Sequence, residues 1–235
     1  MAKVAIVTGG SSGIGAAAAS LLSGRGWQVA VVARHGVEFA ADVTRDADCR
    51  RVAKAVLDKW GRIDALVNSA GSTKFVKHAD LDGLSAEDFS RVYQVNVVGP
   101  FQMIRACAAA LKESRGAVVN VSSVAALLGT GSSIAYAASK AALDTMSTSL
   151  ARVLGPEVRV NVVSPGHVRT PWHEKGRTPE ALAELEARYS AIAPLKAVCE
   201  PEDVADAIAW LVEGARRVTG EIVYVDGGIH VASPR

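Results

Sequence analysis

The sequence predicts an α/β fold in which a doubly wound parallel sheet spans residues 1–235 as a single domain. Three observations predict it. Short apolar runs recur along the chain, they are continuous rather than alternating, and most are separated by helical patterns of ten or more residues. Continuous apolar runs are expected of parallel strands that are covered on both faces. No Pro/Ser-rich linker, charge block or repeat divides the chain, so we expect one domain.

Seven apolar runs have the length of buried strands. In chain order they are Val4–Val7, Val29–Val32, Phe39–Ala41, Ala65–Val67, Ala117–Val121, Val158–Val163 and Ile222–Val225. Five longer stretches between them have helical patterns. They are Ala16–Gly24, Ala47–Trp60, Glu87–Leu111, Tyr136–Leu154 and Pro201–Leu211. The alternation of strand and helix predicts right-handed crossovers between neighbouring parallel strands.

Two connections depart from this alternation. The chain between the second and third strands is too short for a helix, so His35–Glu38 is predicted to be a tight turn. The long stretch 166–198 has no strand pattern, but it contains three prolines and a charged helical segment near Glu180–Arg188. Long excursions of this kind usually form lids or binding loops, so we expect a substrate loop there.

The composition indicates a well-packed protein, with 49% hydrophobic and 21% charged residues. A net charge of +2 gives no support for binding to nucleic acid or to an anionic membrane surface. Cys49, Cys107 and Cys199 are far apart and match no metal-ligand spacing. The N-terminal apolar run is too short for a signal peptide or a membrane span. We therefore expect a cytoplasmic protein with no nucleic-acid, membrane or metal partner.

A glycine-rich turn, Thr8–Gly15, follows the first strand and precedes an alanine-rich helical pattern. A strand, a glycine turn and a helix N-terminus together form the usual cradle for a phosphate group. In such a turn Gly9 allows the tight bend, Gly13 lets the backbone approach a pyrophosphate, and Gly15 lets the helix pack on the strand. No lysine follows as in G-x-x-x-x-G-K-[ST], which argues against ATP hydrolysis. The pattern predicts a nucleotide site.

The residue at the end of the second strand predicts which nucleotide is bound. An acidic residue there would accept a hydrogen bond from the ribose 2′-hydroxyl of NAD, but no carboxylate occurs before Glu38. Arg34 instead offers a fixed set of donors suited to a 2′-phosphate, although an ordinary surface arginine could also stand there. The sequence therefore favours NADP over NAD, and it argues against an S-adenosylmethionine enzyme.

Tyr136 and Lys140 are four residues apart in a predicted helix and therefore lie on one face of it. An ammonium group beside a phenol favours the phenolate, so we expect the pKa of Tyr136 to lie below its reference value of about 10. A tyrosine tuned in this way can exchange a proton near neutral pH. Taken alone, the same spacing also occurs on ordinary solvated helix faces.

A second feature is predicted inside the helical pattern Glu87–Leu111. Pro100 has no N–H group, so the carbonyl of Asn96 loses its helical partner. Gly99 adds flexibility beside it, and we expect the helix to bend there. A freed carbonyl in a buried helix needs another donor, for which a water molecule is the natural candidate.

Six features occur in the order that is typical of one family. Through these features the chain resembles the short-chain dehydrogenases/reductases. They are the glycine turn, Asn68-Ser69-Ala70-Gly71, Asn96, the set Ser123, Tyr136 and Lys140, the segment Pro165–Thr170, and Gly220 with Val225–Gly228. The resemblance covers nearly the whole chain and implies a single Rossmann domain that binds NAD(P) and transfers a hydride. Serine replaces the family's usual second asparagine at Ser69, and the helix after the second strand is missing, as in a minority of the family.

The resemblance implies a role for each matched residue. Ser123 would donate a hydrogen bond to the substrate oxygen, with Ser122 as its structural neighbour. Tyr136 would donate the proton in reduction, Lys140 would lower its pKa and hold the nicotinamide ribose, and Asn96 would anchor a water molecule. The cofactor-binding residues would be Gly9, Ser12, Gly13, Ile14, Gly15, Arg34, Asp42, Val43, Asn68, Ala70, Gly71, Tyr136, Lys140, Val168 and Thr170.

We therefore predict an oxidoreductase that transfers a hydride between NADP(H) and a small carbonyl or secondary-alcohol substrate. The resemblance also implies a homotetramer. The substrate is not readable from the sequence, but its wall is expected to include Leu127, Leu128, Ile134, Trp172 and His173. Two alternatives stay open. One is a non-catalytic, NADP-sensing regulatory or scaffold protein, and the other is dehydratase or epimerase chemistry with His167, His173 or Glu174 as an additional acid or base.

Overall fold

Seven parallel strands form one sheet in the computed structural model, which describes residues 2–174 and 177–232. The strands are β1 (Val4–Thr8), β2 (Gln28–Ala33), β3 (Phe39–Ala40), β4 (Ala65–Asn68), β5 (Ala117–Val121), β6 (Arg159–Pro165) and β7 (Ile222–Val225). Their order in the sheet is β3-β2-β1-β4-β5-β6-β7, and every neighbouring pair is parallel. The predicted fold class is confirmed, and every predicted strand lies within two residues of an observed one.

Helices cover both faces of the sheet. They are α1 (Gly13–Gly24), α2 (Asp46–Trp60), α3 (Ala86–Tyr93), α4 (Gly99–Ser114), α5 (Ala125–Leu128), α6 (Ile134–Leu154), α7 (Pro171–Glu174), α8 (Pro179–Ile192) and α9 (Pro201–Glu213). Within the described residues, none of these helices has the length and hydropathy needed to cross a membrane.

The core lies in two layers, one on each face of the sheet. Ile6 of β1 packs in a cluster with residues of α2 and α4, such as Val52 and Met103. Its neighbour Val7 points to the opposite face and packs with residues of α1 and α9, including Leu22. Successive side chains of a strand face opposite sides of a sheet, so burial of both faces requires an unbroken apolar run.

The predicted helix Glu87–Leu111 is observed as three consecutive helical segments. A π-helical turn, Gln94–Val98, separates α3 from α4. The N–H group of Gly99 donates to the carbonyl of Gln94, five residues back. Since Pro100 cannot donate to Asn96, the backbone takes a wider turn at the position where the sequence predicts a bend.

The two irregular connections also have the predicted character. Residues 34–38 form a turn without a helix between β2 and β3. In the stretch 166–198 the described residues form the short helix α7 and the longer α8, which extends the predicted segment Glu180–Arg188. The hydroxyl of Thr178 accepts from the N–H group of Ala181 at the start of α8, where Pro179 occupies the first turn.

Candidate active site

A cleft of about 1650 Å³ opens at the carboxyl ends of the strands. It crosses the point where the strand order reverses, between β1 and β4. Ligands of doubly wound sheets bind at this position because the loops from neighbouring strands diverge there. The glycine turn lines one end of the cleft, and the segment that contains α7 and α8 lines the other.

The glycine turn is packed so closely that side chains are excluded from it. Gly9 has a φ of +66°, and a Cβ atom there would lie 2.8 Å from the backbone nitrogen of Ala70. A Cβ atom on Gly15 would lie 2.4 Å from the carbonyl oxygen of Gly9. Gly13 has a φ of +52°, and its Cβ would be 3.1 Å from the Thr170 side chain. The turn is therefore held between the loops that follow β4 and β6.

The N-terminus of α1 faces the cleft with free donors. Ser12, its capping residue, is extended and makes no side-chain cap hydrogen bond, and the first turn contains no acidic residue. The first N–H groups of a helix have no partner within it and attract anions. Ser12, Gly13 and Ile14 line the cleft, whereas Gly15 lies behind them and packs under the turn.

The adenosine end predicted for the cleft is formed by the ends of β2 and β3. Arg34, Asp42 and Val43 line it. Arg34 is exposed and makes no ion pair with any described residue. Glu38, the carboxylate nearest to it in the turn, is held by Lys59 at 2.6 Å. Arg34 is thus left available to an anionic ligand.

Ser123, Tyr136 and Lys140 come together in the middle of the cleft. Ser123 lies in the loop that follows β5, while Tyr136 and Lys140 lie on α6. Nζ of the buried Lys140 donates to the carbonyl oxygen of Val121 at 2.8 Å and lies 5.7 Å from the Tyr136 ring centroid. Ser122 is buried beside them, and its hydroxyl donates to the Lys140 carbonyl at 3.4 Å.

The expected lowering of the Tyr136 pKa is wrong. Burial raises the pKa of Tyr136 to about 12, and only the hydrogen bond from Ser123 acts to lower it. Burial lowers the pKa of Lys140 to about 8, while the Asp144 carboxylate acts to raise it. Desolvation of the phenolate therefore outweighs the stabilisation that the Ser123 hydroxyl provides. At neutral pH the phenol keeps its proton.

Asn96 is buried behind the cleft and fixes two of its walls. Its Oδ1 accepts from the Ser72 N–H group at 2.8 Å, and its Nδ2 donates to the Ser72 carbonyl and to the Ser139 hydroxyl, both at 2.9 Å. Ser139 in turn donates to the Tyr136 carbonyl at 2.7 Å. The side chain thus ties the loop after β4 to the helix that carries Tyr136. A water molecule at the Asn96 carbonyl stays a prediction.

The remaining predicted residues divide into two groups. Ala70, Gly71, Val168 and Thr170 line the cleft. Asn68 does not line it; the side chain is buried and its amide donates to Oδ1 of Asn120 at 2.9 Å.

The expected substrate wall is partly wrong. Leu128, Trp172 and His173 line the cleft, but Leu127 and Ile134 do not. Because α5 is a single turn, consecutive residues point in different directions, and Leu127 is 55% exposed. His167 also lines the cleft, whereas Glu174 is exposed away from it.

Sequence reasoning missed Asp144, which lies four residues after Lys140 on α6. Its Oδ1 is buried without a hydrogen-bond partner among the described residues. Burial raises its pKa to about 6, against the lowering effects of Ser122 and Lys140. The spacing of four from a lysine was the available signal, but the same spacing is common on solvated helix faces.

A nucleotide cradle that leads to a serine, a tyrosine and a lysine defines the class of the protein as a Rossmann-fold oxidoreductase. Comparisons with known proteins agree. A family model described as "Enoyl-(Acyl carrier protein) reductase" matches residues 9–230. The 3-oxoacyl-[acyl-carrier-protein] reductase of Thermotoga maritima is 34% identical over 249 residues, which cover 97% of each chain. The L-fucose dehydrogenase of Bos taurus is 32% identical over 250 residues, which cover 99% of this chain and 91% of the relative.

Solved structures show the same likeness. The aldohexose dehydrogenase of Thermoplasma acidophilum is 29% identical with a TM-score of 0.93, over 100% of this chain and 96% of that one. ElxO with NADP bound is 26% identical with a TM-score of 0.88, over 98% and 100% of the two chains. The chain belongs to the short-chain dehydrogenase/reductase family and is an oxidoreductase. This finding favours an enzyme over the non-catalytic alternative.

Proposed function

We propose that the protein catalyses reversible hydride transfer between NADP(H) and a carbonyl or secondary-alcohol substrate. The observation that carries the proposal is that Ser123, Tyr136 and Lys140 line the same cleft as the glycine turn. A nicotinamide cofactor bound there would supply or accept the hydride. A protein that only sensed the cofactor would not need these three side chains beside it.

Each of the three side chains has a distinct task in the reduction. Tyr136 holds a proton at neutral pH and donates it to the carbonyl oxygen. The Ser123 hydroxyl lies next to the phenol and stabilises negative charge on the same oxygen. Lys140, when protonated, favours the phenolate that remains after the transfer. Its burial keeps that charge poorly solvated, which strengthens its effect on the phenol.

The chain's own residues fit NADP. The tight packing of Gly9 and Gly15 leaves room for a pyrophosphate against the N-terminus of α1. Arg34 lines the adenosine end without a carboxylate partner among the described residues, as a 2′-phosphate would require. The NADP and NADPH complexes of the similar protein ElxO support the same choice.

Replacing Arg34 with alanine is expected to lower kcat/KM for NADPH by about tenfold to a hundredfold, because one or two charge-assisted hydrogen bonds are lost. The value for NADH should change by less than about threefold, since NADH has no 2′-phosphate. Steady-state kinetics with both cofactors measures the ratio. Arg216→Ala removes an equal charge outside the cleft and should leave both values unchanged. An unaltered NADPH/NADH ratio in the Arg34 variant would refute its role.

The proposed activity is tested by following the NADPH absorbance band with a panel of ketones and, in the opposite direction, secondary alcohols. The panel should include 3-oxoacyl thioesters and sugars, because relatives are named for those substrates. We expect turnover with at least one member. Tight NADPH binding without turnover of any compound would instead support the non-catalytic alternative.

We also propose, from the family resemblance, a single-domain cytoplasmic protein that assembles as a homotetramer. Large exposed apolar side chains on the outer surface, including Phe89, Tyr93 and Phe101, are compatible with burial between subunits. Light scattering coupled to size-exclusion chromatography would measure the mass of the assembly. A monomer at micromolar concentration would exclude the tetramer.

A further inference from the structure

Among the described residues, the charged side chains that line the substrate half of the cleft are all basic. We define this half by the cleft-lining residues of the loop 72–78, Arg91 and the described part of the segment 166–198. The charged side chains that line the cleft at this end are Lys77, Arg91, Arg177 and Arg188. Among the described residues, Asp42 is the only carboxylate anywhere in the lining of the cleft, and it lies at the opposite end.

This imbalance does not come from a shortage of acids in the segment. Glu186 of the segment and Glu200, which lies just after it, both bind Arg169, which is exposed and does not line the cleft. The Arg169–Glu186 distance is 2.8 Å. The acids are thus held outside the cleft by an arginine that itself lies outside it. The basic side chains within the cleft therefore lack these partners.

The four basic residues differ in how far their charge is balanced. Arg91 is bound to Asp88 at 2.7 Å. Arg177 lies 4.9 Å above the Phe75 ring and donates to the carbonyl oxygen of His173 at 2.8 Å. These contacts fix the Arg177 guanidinium without neutralising it. Within residues 2–174 and 177–232, Arg177 and Arg188 make no ion pair, which leaves two arginines for an anion.

His167 supplies an independent observation. It is only 5% exposed and lines the cleft; its ring stacks on Tyr189 and lies tilted against His173, with ring centroids 4.8 Å and 4.2 Å away. Its Nδ1 atom has no hydrogen-bond partner among the described residues. Buried polar atoms are nearly always paired, so this nitrogen calls for a partner that the described residues do not supply.

The lowered pKa values of His173 and His167 are consistent with an excess of positive charge near these rings. The pKa of His173 is lowered to about 4, mainly by burial and in smaller part by His167 and Arg177. Burial is also the main cause of the lowered pKa of His167; Glu186 acts to raise this pKa, and Arg177 and Arg169 act to lower it. An anion bound in this region would offset the unfavourable potential that both imidazoles experience.

The basic wall adjoins the reacting groups. The Trp172 ring lies 6.0 Å from the Tyr136 ring, and its neighbour His173 accepts the bond from Arg177. We propose that the substrate is a carbonyl compound that carries an anionic group, a carboxylate or a phosphate, which Arg177 and Arg188 bind with His167 as a hydrogen-bond partner. The carbonyl oxygen then faces Tyr136 and Ser123. The inference rests on the proposed function and names the class of its substrate.

Matched substrate pairs test the inference. The 3-, 4- and 5-oxo acids are compared with their methyl esters, and dihydroxyacetone phosphate with dihydroxyacetone. Two charge-assisted hydrogen bonds should lower KM for the anionic member by about tenfold to a hundredfold, with less effect on kcat. A preference confined to the acids identifies a carboxylate as the group that is bound, and one confined to the phosphate identifies a phosphate monoester.

Variants separate the anion site from the fold. Arg188→Gln alters an exposed side chain without a partner among the described residues, so it should fold normally and raise KM for the anionic member only. Arg177→Gln should do the same, with partial rescue in Arg177→Lys. His167→Phe keeps an aromatic ring in the stack but removes Nδ1, and should also raise KM for the anion. Arg216→Gln, outside the cleft, is the matched control.

The outcomes distinguish this inference from the proposed function. Equal KM values within every pair, or variants that change both members alike, would overturn the inference while leaving the oxidoreductase activity in place. If no ketone is reduced, the proposed function fails. In that case, calorimetric titration of the protein and NADP with pentanoate or inorganic phosphate still tests the anion site. Binding weakened by Arg188→Gln would uphold the site, and the absence of binding would reject it.

Discussion

Replacement of Tyr136 by phenylalanine is expected to lower kcat by about a hundredfold to ten-thousandfold, the usual contribution of a positioned general acid. The variant keeps the ring and its contact with Trp172 but loses the proton that the carbonyl oxygen needs. Because burial raises the pKa of Tyr136 to about 12, the wild-type phenol is protonated at neutral pH and acts as a donor in reduction. Single-turnover reduction with NADPH measures the loss in the chemical step directly.

The same variant should still fold and bind the cofactor. The phosphate cradle of Gly9, Ser12 and Gly13 is formed by other elements, so the Kd for NADPH should change by no more than a few-fold. Tyr93→Phe removes a hydroxyl from an exposed tyrosine outside the cleft and should retain full activity. Substantial turnover by the Tyr136 variant would contradict the assignment of the proton donor to this residue.

The fold was predictable because its signals are local. A parallel strand buried on both faces has to be an unbroken apolar run, and the opposite burial of Ile6 and Val7 shows why. The glycine turn was equally readable, since the positive φ values of Gly9 and Gly13 are conformations that other residues rarely adopt. The bend at Pro100 followed from one missing N–H group.

Quantities that depend on three-dimensional burial were not predictable. The spacing of Tyr136 and Lys140 correctly placed the two side chains together, but it could not show how little water reaches them. Desolvation reversed the expected direction of the tyrosine pKa shift. The three hydrogen bonds of the Asn96 side chain were equally hidden, since its partners Ser72 and Ser139 are distant in sequence.

The positive charge of the substrate half of the cleft is a third property that was not predictable from the sequence. The segment 166–198 contains acidic and basic residues in similar measure, and nothing in their order assigns them to the two sides of the segment. The fold directs Glu186 to Arg169 on the outside while Arg177 and Arg188 line the cleft. A substrate class becomes inferable only once this sorting is known.

Replacing Gly15 with alanine is the second change with a large expected effect. The added Cβ atom would lie 2.4 Å from the carbonyl oxygen of Gly9, and this neighbour is backbone that cannot move aside alone. Movement of Gly9 is restricted in turn, because the backbone of Ala70 is already packed closely against it. We expect the Kd for NADPH to rise more than about tenfold, and the free energy of unfolding to fall by about 1–3 kcal/mol from overpacking.

The same helix contains its own control. Gly24, at the other end of α1, would meet no atom within 4 Å if a Cβ were added. Gly24→Ala should leave NADPH binding unchanged and stabilise the protein by up to about 1 kcal/mol, because alanine restricts the unfolded chain and favours helix. Titration with NADPH and urea unfolding of both variants compare one methyl group at two positions.

Since Gly15 does not line the cleft, weaker binding in its variant alone would show that the shape of the turn, and not direct contact with the added methyl group, determines cofactor affinity. Wild-type affinity in Gly15→Ala would show instead that the turn accommodates a side chain, and the assignment of this turn as the pyrophosphate cradle would fail.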